Sequence, residues 1–171
     1  KRVAALLASR DTQIKGAALE LLSFVCLVPP KGVPLVLEAM SHYRAEHREP
    51  TRFHSLLQAM RAEDKNVGFL INALFFINSI VNSPEDLKVR HDLRKEFINL
   101  GLLDTIRSFK DTWAISSSEL KTQLKVFEEE MQHDAQEERR MGAAKASAVD
   151  KNNPEDIFSV VLRQVKDSPY Y

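Results

Sequence analysis

The sequence predicts an all-helical protein, an α-solenoid in which units of two or three helices stack on one another. Three observations carry that prediction. Apolar residues recur at steps of three and four almost throughout, the spacing of a helix face. No stretch alternates cleanly for five or more residues, so no strand is predicted. One twelve-residue segment also recurs later in the chain with its apolar pattern kept.

The elements follow in order. Leu6-Leu7-Ala8 ends a short helix before a polar break at Ser9-Arg10-Asp11, and Ala18 to Val28 forms a longer apolar helix. Val33, Leu35, Val36, Leu37, Ala39, Met40 and Tyr43 mark a second long helix, and Phe53, Leu56, Leu57 and Met60 a short one. Between Asn66 and Ser83, the series Phe69, Leu70, Ala73, Leu74, Ile77, Ile80, Val81 places one broad apolar face on a helix. Ser83-Pro84-Glu85-Asp86 and Asn153-Pro154-Glu155-Asp156 share a helix-start design: a capping side chain, Pro at the first helical position, then two carboxylates at the positive helix end. Ser116 with Glu119 reads as a capping box, Thr51 as a further cap, and Gly101 as the stop of the helix beginning at Pro84.

The recurrence is gapless. Ala18-Leu19-Glu20-Leu21-Leu22-Ser23-Phe24-Val25-Cys26-Leu27-Val28-Pro29 aligns on Ala73-Leu74-Phe75-Phe76-Ile77-Asn78-Ser79-Ile80-Val81-Asn82-Ser83-Pro84 at an offset of 55 residues. A weaker copy runs from Gly101 to Phe109 and on to Leu120–Phe127, and Ile157 to Val165 reads as the short helix of a fourth. The expected division is a partial repeat over 1–29, repeats over 30–84 and 85–133, and a polar connector with a partial repeat over 134–171. Such units bury their apolar faces only against neighbours, and the stack leaves a long concave surface.

Composition excludes several function classes. The 171 residues are 44% hydrophobic and 28% charged, with 24 basic and 24 acidic side chains. A net charge of zero argues against a dedicated nucleic-acid surface. No apolar run is long enough for a membrane span. The single cysteine, Cys26, excludes an internal disulfide and fits a reducing compartment. The chain begins at Lys1, with no Met and no signal peptide, and reads as an excerpt of something longer. No catalytic residue, metal site or cofactor is expected. The 5 histidines show no zinc spacing, no glycine-rich phosphate loop or Gly-x-Ser-x-Gly elbow occurs, and Cys26 among Phe24, Val25 and Leu27 reads as a buried thiol.

What remains is surface. Asn72, Phe75, Phe76, Ser79 and Asn82 lie together beside the core stripe of their helix, and the repeat puts Ala17, Glu20, Leu21 and Phe24 at matching places on the neighbouring one. Phenylalanines among amide and small side chains suit a groove for an amphipathic helix, the alternative being that Phe75 and Phe76 pack between repeats. Asn78 and Ser23 are expected to make structural hydrogen bonds. Charge runs from mildly basic at the start to acidic at the end, where Glu128-Glu129-Glu130 is either a solvated helix end or a landing site for a basic segment.

Leu6-Leu7-Ala8-Ser9, Asp11, Gln13-Ile14, Ala17-Ala18-Leu19 and Leu22-Ser23 resemble an armadillo repeat. Leu21 to Pro29, Val36-Leu37-Glu38-Ala39-Met40, Arg52-Phe53, Phe76-Ile77-Asn78 and above all Val89-Arg90-His91-Asp92-Leu93-Arg94-Lys95-Glu96-Phe97-Ile98-Asn99-Leu100-Gly101-Leu102 resemble the armadillo-repeat regulatory region (FH3, or diaphanous inhibitory, domain) of diaphanous-related formins. The resemblance covers nearly the whole chain and is weakest over residues 131–153. It implies an armadillo-type right-handed superhelix in a cytoplasmic protein of the cortical actin cytoskeleton, not an enzyme. It further implies that the concave groove binds the C-terminal autoregulatory helix of the same protein, an autoinhibition relieved by a Rho-family GTPase whose main contacts lie upstream of this chain. Actin is reached indirectly, through the rest of the protein. On this reading Ala17, Glu20, Phe24, Asn72, Phe75, Phe76, Ser79 and Asn82 line the groove, and Glu128, Glu129 and Glu130 receive the helix's basic tail. The other function class is a generic armadillo adaptor whose groove takes a different linear motif and has no autoinhibitory role.

Overall fold

A computed structural model describes residues 2–112 and 117–147, together with residues 153, 158, 161, 162 and 165. All elements among the described residues are helical, as the periodicity predicts. Helix α1 (Arg2–Ala5) passes into a 3-10 turn at Leu6–Ala8, and then follow α2 (Thr12–Cys26), α3 (Gly32–His47), α4 (His54–Ala62), α5 (Val67–Asn82), α6 (Leu87–Asn99), α7 (Leu102–Thr112) and α8 (Ser118–Ser147). The chain divides into two compact units, Lys1–Met131 and Gln132–Tyr171. The first holds the large core.

Polar side chains at the helix starts explain where several helices begin. Asp11 accepts from the Gln13 N–H at 2.8 Å, Asn66 from the Phe69 N–H at 3.1 Å, and Asp86 from the N–H groups of Lys88 and Val89 at 2.7 and 3.2 Å. The cap of α6 is therefore Asp86, and Ser83-Pro84-Glu85 lies ahead of the helix rather than opening it. Ser83 turns back instead, its hydroxyl donating to the Ser79 carbonyl at 2.5 Å. At α8 the Ser117 hydroxyl accepts from the Leu120 N–H at 3.2 Å. Ser116 lies outside the described residues, as do residues 154–157 of the start expected at Asn153 and most of the fourth short helix.

Thr51 does not cap α4. That helix begins at His54 behind Phe53, which adopts the left-handed conformation with φ 64° and makes no side-chain cap. The Glu49 carboxylate reaches the same helix end, accepting from the Ser55 N–H at 3.4 Å and from the Ser55 hydroxyl. A left-handed aromatic residue costs about 1–2 kcal/mol. Packing offsets that cost: the Phe53 ring is 1% exposed, stacks on Phe97 at 4.5 Å and leans on Phe76 at 6.1 Å.

Helix α5 is the centre of the core. It touches α2, α4 and α6. Leu70, Ala73, Leu74, Phe76, Ile77, Ile80 and Val81 are all 0% exposed. Burying each large apolar side chain stabilises the fold by roughly 1.5–3 kcal/mol. Three polar residues of the repeated segment are buried as well, Ser23, Asn78 and Ser79, and the first two make side-chain hydrogen bonds. Ser23 donates to the Leu19 carbonyl at 2.8 Å. Asn78 Nδ2 donates to the Gln123 carbonyl at 3.0 Å and to Gln123 Oε1 at 2.9 Å, tying α5 to α8.

The α6–α7 corner shows why Gly101 stands there. Its φ is 84°, and a Cβ would lie 2.7 Å from Arg61 Nη2. Without that Cβ, Arg61 reaches in from α4, donating to the Leu100 carbonyl at 2.5 Å and to Thr105 Oγ1 at 3.2 Å.

Candidate functional site

Helices α2 and α5, the two copies of the repeated segment, pack directly against each other. Their contact is close because Gly16 sits beneath Asn72, where a Cβ would meet the amide nitrogen at 3.0 Å. The outward faces of the two helices form one surface, on which Phe24 meets Phe75 rather than its repeat counterpart Ser79. On α2 this surface carries Ala17, Glu20 and Phe24, all exposed. On α5 it carries Asn72 and Phe75, both half-buried. Phe24 is 52% exposed, and its ring meets that of Phe75 edge to face, centroids 6.0 Å apart at 71°. Two aromatic rings thus bridge neighbouring helices at the surface with an apolar area open to a partner.

Three of the predicted groove residues do not share this surface. Phe76 is a correction: it is 0% exposed and packs on Phe53, so it belongs to the core. Ser79 is only 6% exposed. Asn82 is half-buried and its Oδ1 accepts from Arg94 Nη2 at 3.0 Å, a contact toward α6. The helical period put these residues beside the core stripe, and neighbouring helices cover more of that flank than the period alone reveals.

The structure adds residues that the sequence reading missed. A cleft of about 540 Å3 opens beside the aromatic pair, with walls that include Thr12, Gln13, Glu20, Asn72 and Glu119. Glu119 comes from the start of α8, and no local pattern links it to α2. Leu27 and Val28, 53% and 60% exposed, extend the exposed apolar residues of α2 beyond Leu21, which the repeat had already matched to the groove and which is 53% exposed.

The acidic end divides. Glu129 and Glu130 are exposed and Glu128 half-buried, and Glu129 pairs with Lys125 at 3.5 Å. In the second unit Asp134 is 3% exposed, and donor atoms of His133, Asp134 and Glu137 lie within 4.8 Å of one another. Side chains of this kind on one helix meet without an ion, and this group carries no metal assignment. Cys26 is 2% exposed and burial pushes its thiol up to about 12, so it is not a thiolate at neutral pH.

The family is settled by comparison. The model of the diaphanous FH3 domain matches residues 34–171. This chain belongs to the diaphanous FH3 family. FH3 domains are helical, armadillo-like regulatory domains of formins, so the fold class read from the sequence holds. The FH3 chain is 33% identical to Formin-F of Dictyostelium discoideum over 169 residues, covering 95% of this chain and 14% of that protein. It is 31% identical to Inverted formin-2 of Xenopus tropicalis (99% of this chain, 12% of that protein) and 34% identical to human Formin-like protein 2 (73% and 11%). The FH3 chain thus spans only about one seventh or less of these relatives. No helix among its described residues is long and apolar enough to cross a membrane.

Proposed function

We propose that this FH3 chain is the regulatory, non-catalytic module of a formin of the cytoplasmic, cortical actin cytoskeleton. Its groove over α2 and α5 binds the C-terminal autoregulatory helix of the same protein and so holds the actin-assembling half inactive. A Rho-family GTPase, bound mainly through upstream residues, displaces that helix. The single observation that supports this reading most is the half-exposed Phe24 ring set edge to face against Phe75 across two packed repeat helices. Such a pair offers an apolar anchor point for the leucine and methionine side chains of an amphipathic helix. Ala17, Glu20 and Asn72 supply the small and polar surroundings, and Glu128–Glu130 the landing site for a basic tail.

The test is calorimetry of the chain against the C-terminal segment of its own protein. Binding that Phe24→Ala weakens, and that a GTP-loaded Rho-family GTPase reverses in the longer protein, is the expected result. Binding of unrelated linear motifs with no affinity for that segment points instead to a generic armadillo adaptor.

A further inference from the structure

Ser83-Pro84-Glu85-Asp86 links α5 to α6, and two arginines fold back over this link from α6. Arg90 Nη1 donates to the carbonyls of Pro84 and Glu85 at 3.2 and 2.9 Å. Arg94 Nη2 donates to Asn82 Oδ1 at 3.0 Å. The two stand one turn apart on α6 and meet the residues on both sides of Ser83. Arg94 is 4% exposed, so its guanidinium is largely withdrawn from water. The Ser83 hydroxyl lies half-buried at the end of α5 and donates to the Ser79 carbonyl at 2.5 Å, whereas Glu85 and Asp86 are exposed. A hydroxyl bracketed by two guanidinium groups, in a non-helical link, is an acceptor for phosphate with the cations already in place.

We propose that Ser83 is a phosphorylation site whose phosphate is held by Arg90 and Arg94. The donor is ATP, delivered by a serine kinase that reads acidic residues after its acceptor, here Glu85 and Asp86. The bond from Ser83 Oγ to the γ-phosphorus forms as that phosphorus parts from the β–γ bridging oxygen. ADP leaves, and the hydroxyl proton passes to the kinase's catalytic carboxylate and on to water. Without that proton the oxygen no longer donates to Ser79, and the negative end of α5 repels the new dianion. The phosphate therefore turns toward α6, where its oxygens replace carbonyl and amide oxygens on the arginine donors. Asp86 does not compete for those arginines, since its carboxylate accepts from the N–H groups of Lys88 and Val89. A neutral hydroxyl at the end of α5 thus becomes a fixed negative charge joining α5 to α6.

The experiment uses the whole chain. Treated with ATP and an acid-directed serine kinase, it is expected to take phosphate at Ser83, located by mass spectrometry, and Ser83→Ala to lose that site. Phosphoserine encoded genetically in place of Ser83 then separates the arginine clamp from access by the kinase. Free phosphoserine titrates at a pH of about 6. Phosphorus-31 resonance is expected to place this phosphate about one pH unit below the value in a synthetic phosphopeptide spanning residues 79–88, because fixed guanidinium groups favour the dianion. Arg90→Gln should return the titration toward the peptide's and Arg90→Lys should keep part of the shift, with the far-ultraviolet circular dichroism unchanged. A merely structural role for Arg90 would not move the titration. No phosphate on Ser83 after kinase treatment overturns the site. A titration equal to the peptide's, or one unmoved by Arg90→Gln, overturns the clamp.

Discussion

Arg52 grips Glu96 with both arms of its guanidinium, donating from Nε at 3.0 Å and from Nη2 at 2.8 Å to the two carboxylate oxygens. The residues that follow them repeat the contact in apolar form, Phe53 stacking on Phe97 at 4.5 Å. Two dipeptides, Arg52-Phe53 before α4 and Glu96-Phe97 in α6, thus clamp the start of α4 to α6. Both lie in segments whose sequence carries the family resemblance, and their role there is architectural.

The polar half of the clamp is measurable. The two side chains are 28% and 23% exposed, so solvent screens the pair in part. Bidentate geometry makes up some of that loss. A double-mutant cycle of Arg52→Ala and Glu96→Ala by urea denaturation should give a coupling of about 1 kcal/mol. A coupling indistinguishable from zero would show that the stacked rings hold the two segments together without it.

Phe24 and Phe76 are both phenylalanines on the repeated helices, and they should behave oppositely. Phe76→Ala removes a fully buried ring and should cost about 3–5 kcal/mol of stability. Phe24→Ala should change stability by less than about 1 kcal/mol, because half of its ring already meets water. In the groove reading Phe24→Ala instead weakens ligand binding. Thermal melts of the two variants decide the stability claim, and a Phe24→Ala melt as depressed as that of Phe76→Ala would refute it.

Gly101→Ala forces a Cβ onto a residue with φ 84° and against the Arg61 guanidinium. The backbone strain alone is about 1–2 kcal/mol, and the arginine must also give way. Urea unfolding should show at least that loss. If Arg61→Ala is made first, the remaining penalty should shrink toward the strain alone.

At α6, Asp86→Ala should cost about 1 kcal/mol through the lost cap. Pro84→Ala should cost less, since Pro84 precedes the helix. The reverse order in chemical denaturation would restore the start that the sequence suggests.

Alkaline conditions should unfold the protein partly through Cys26. Its thiol, pushed from 9.0 to about 12 by burial, keeps its proton in the folded state while the unfolded thiol loses its own. The unfolded chain therefore binds fewer protons, and stability falls as pH rises from about 9 toward 12, by at most about 1.4 kcal/mol per pH unit from this group. Tyr43, also raised, by burial first and then by Glu49, steepens the same limb. Cys26→Ala should flatten the fall between pH 9 and 10.5 in urea titrations. An unchanged slope would show that the thiol does not carry it.

The sequence made helices and faces readable because both depend on neighbours three and four residues away. Gly101 announces a stop through local chemistry, and the structure has it there with a positive φ. Coverage is another matter. Leu21 and Phe76 occupy equivalent places in the repeat, yet one is 53% exposed and the other 0%. Period assigns a side chain to a face but does not say which helix arrives to cover it. Glu49 at the start of α4 and Glu119 beside α2 were hidden for the same reason: each reaches its position through tertiary folding, with no spacing rule to signal it.

Helix α5 is sealed by neighbours along most of its length, which should make it the slowest of the described helices to trade its amide hydrogens for deuterium. Exchange there requires the first unit to open as a whole, whereas α1 and the ends of exposed helices fray on their own. A ligand lying over α2 and α5 therefore meets a floor that does not yield, and selection among ligands falls on the ligand's own readiness to be helical.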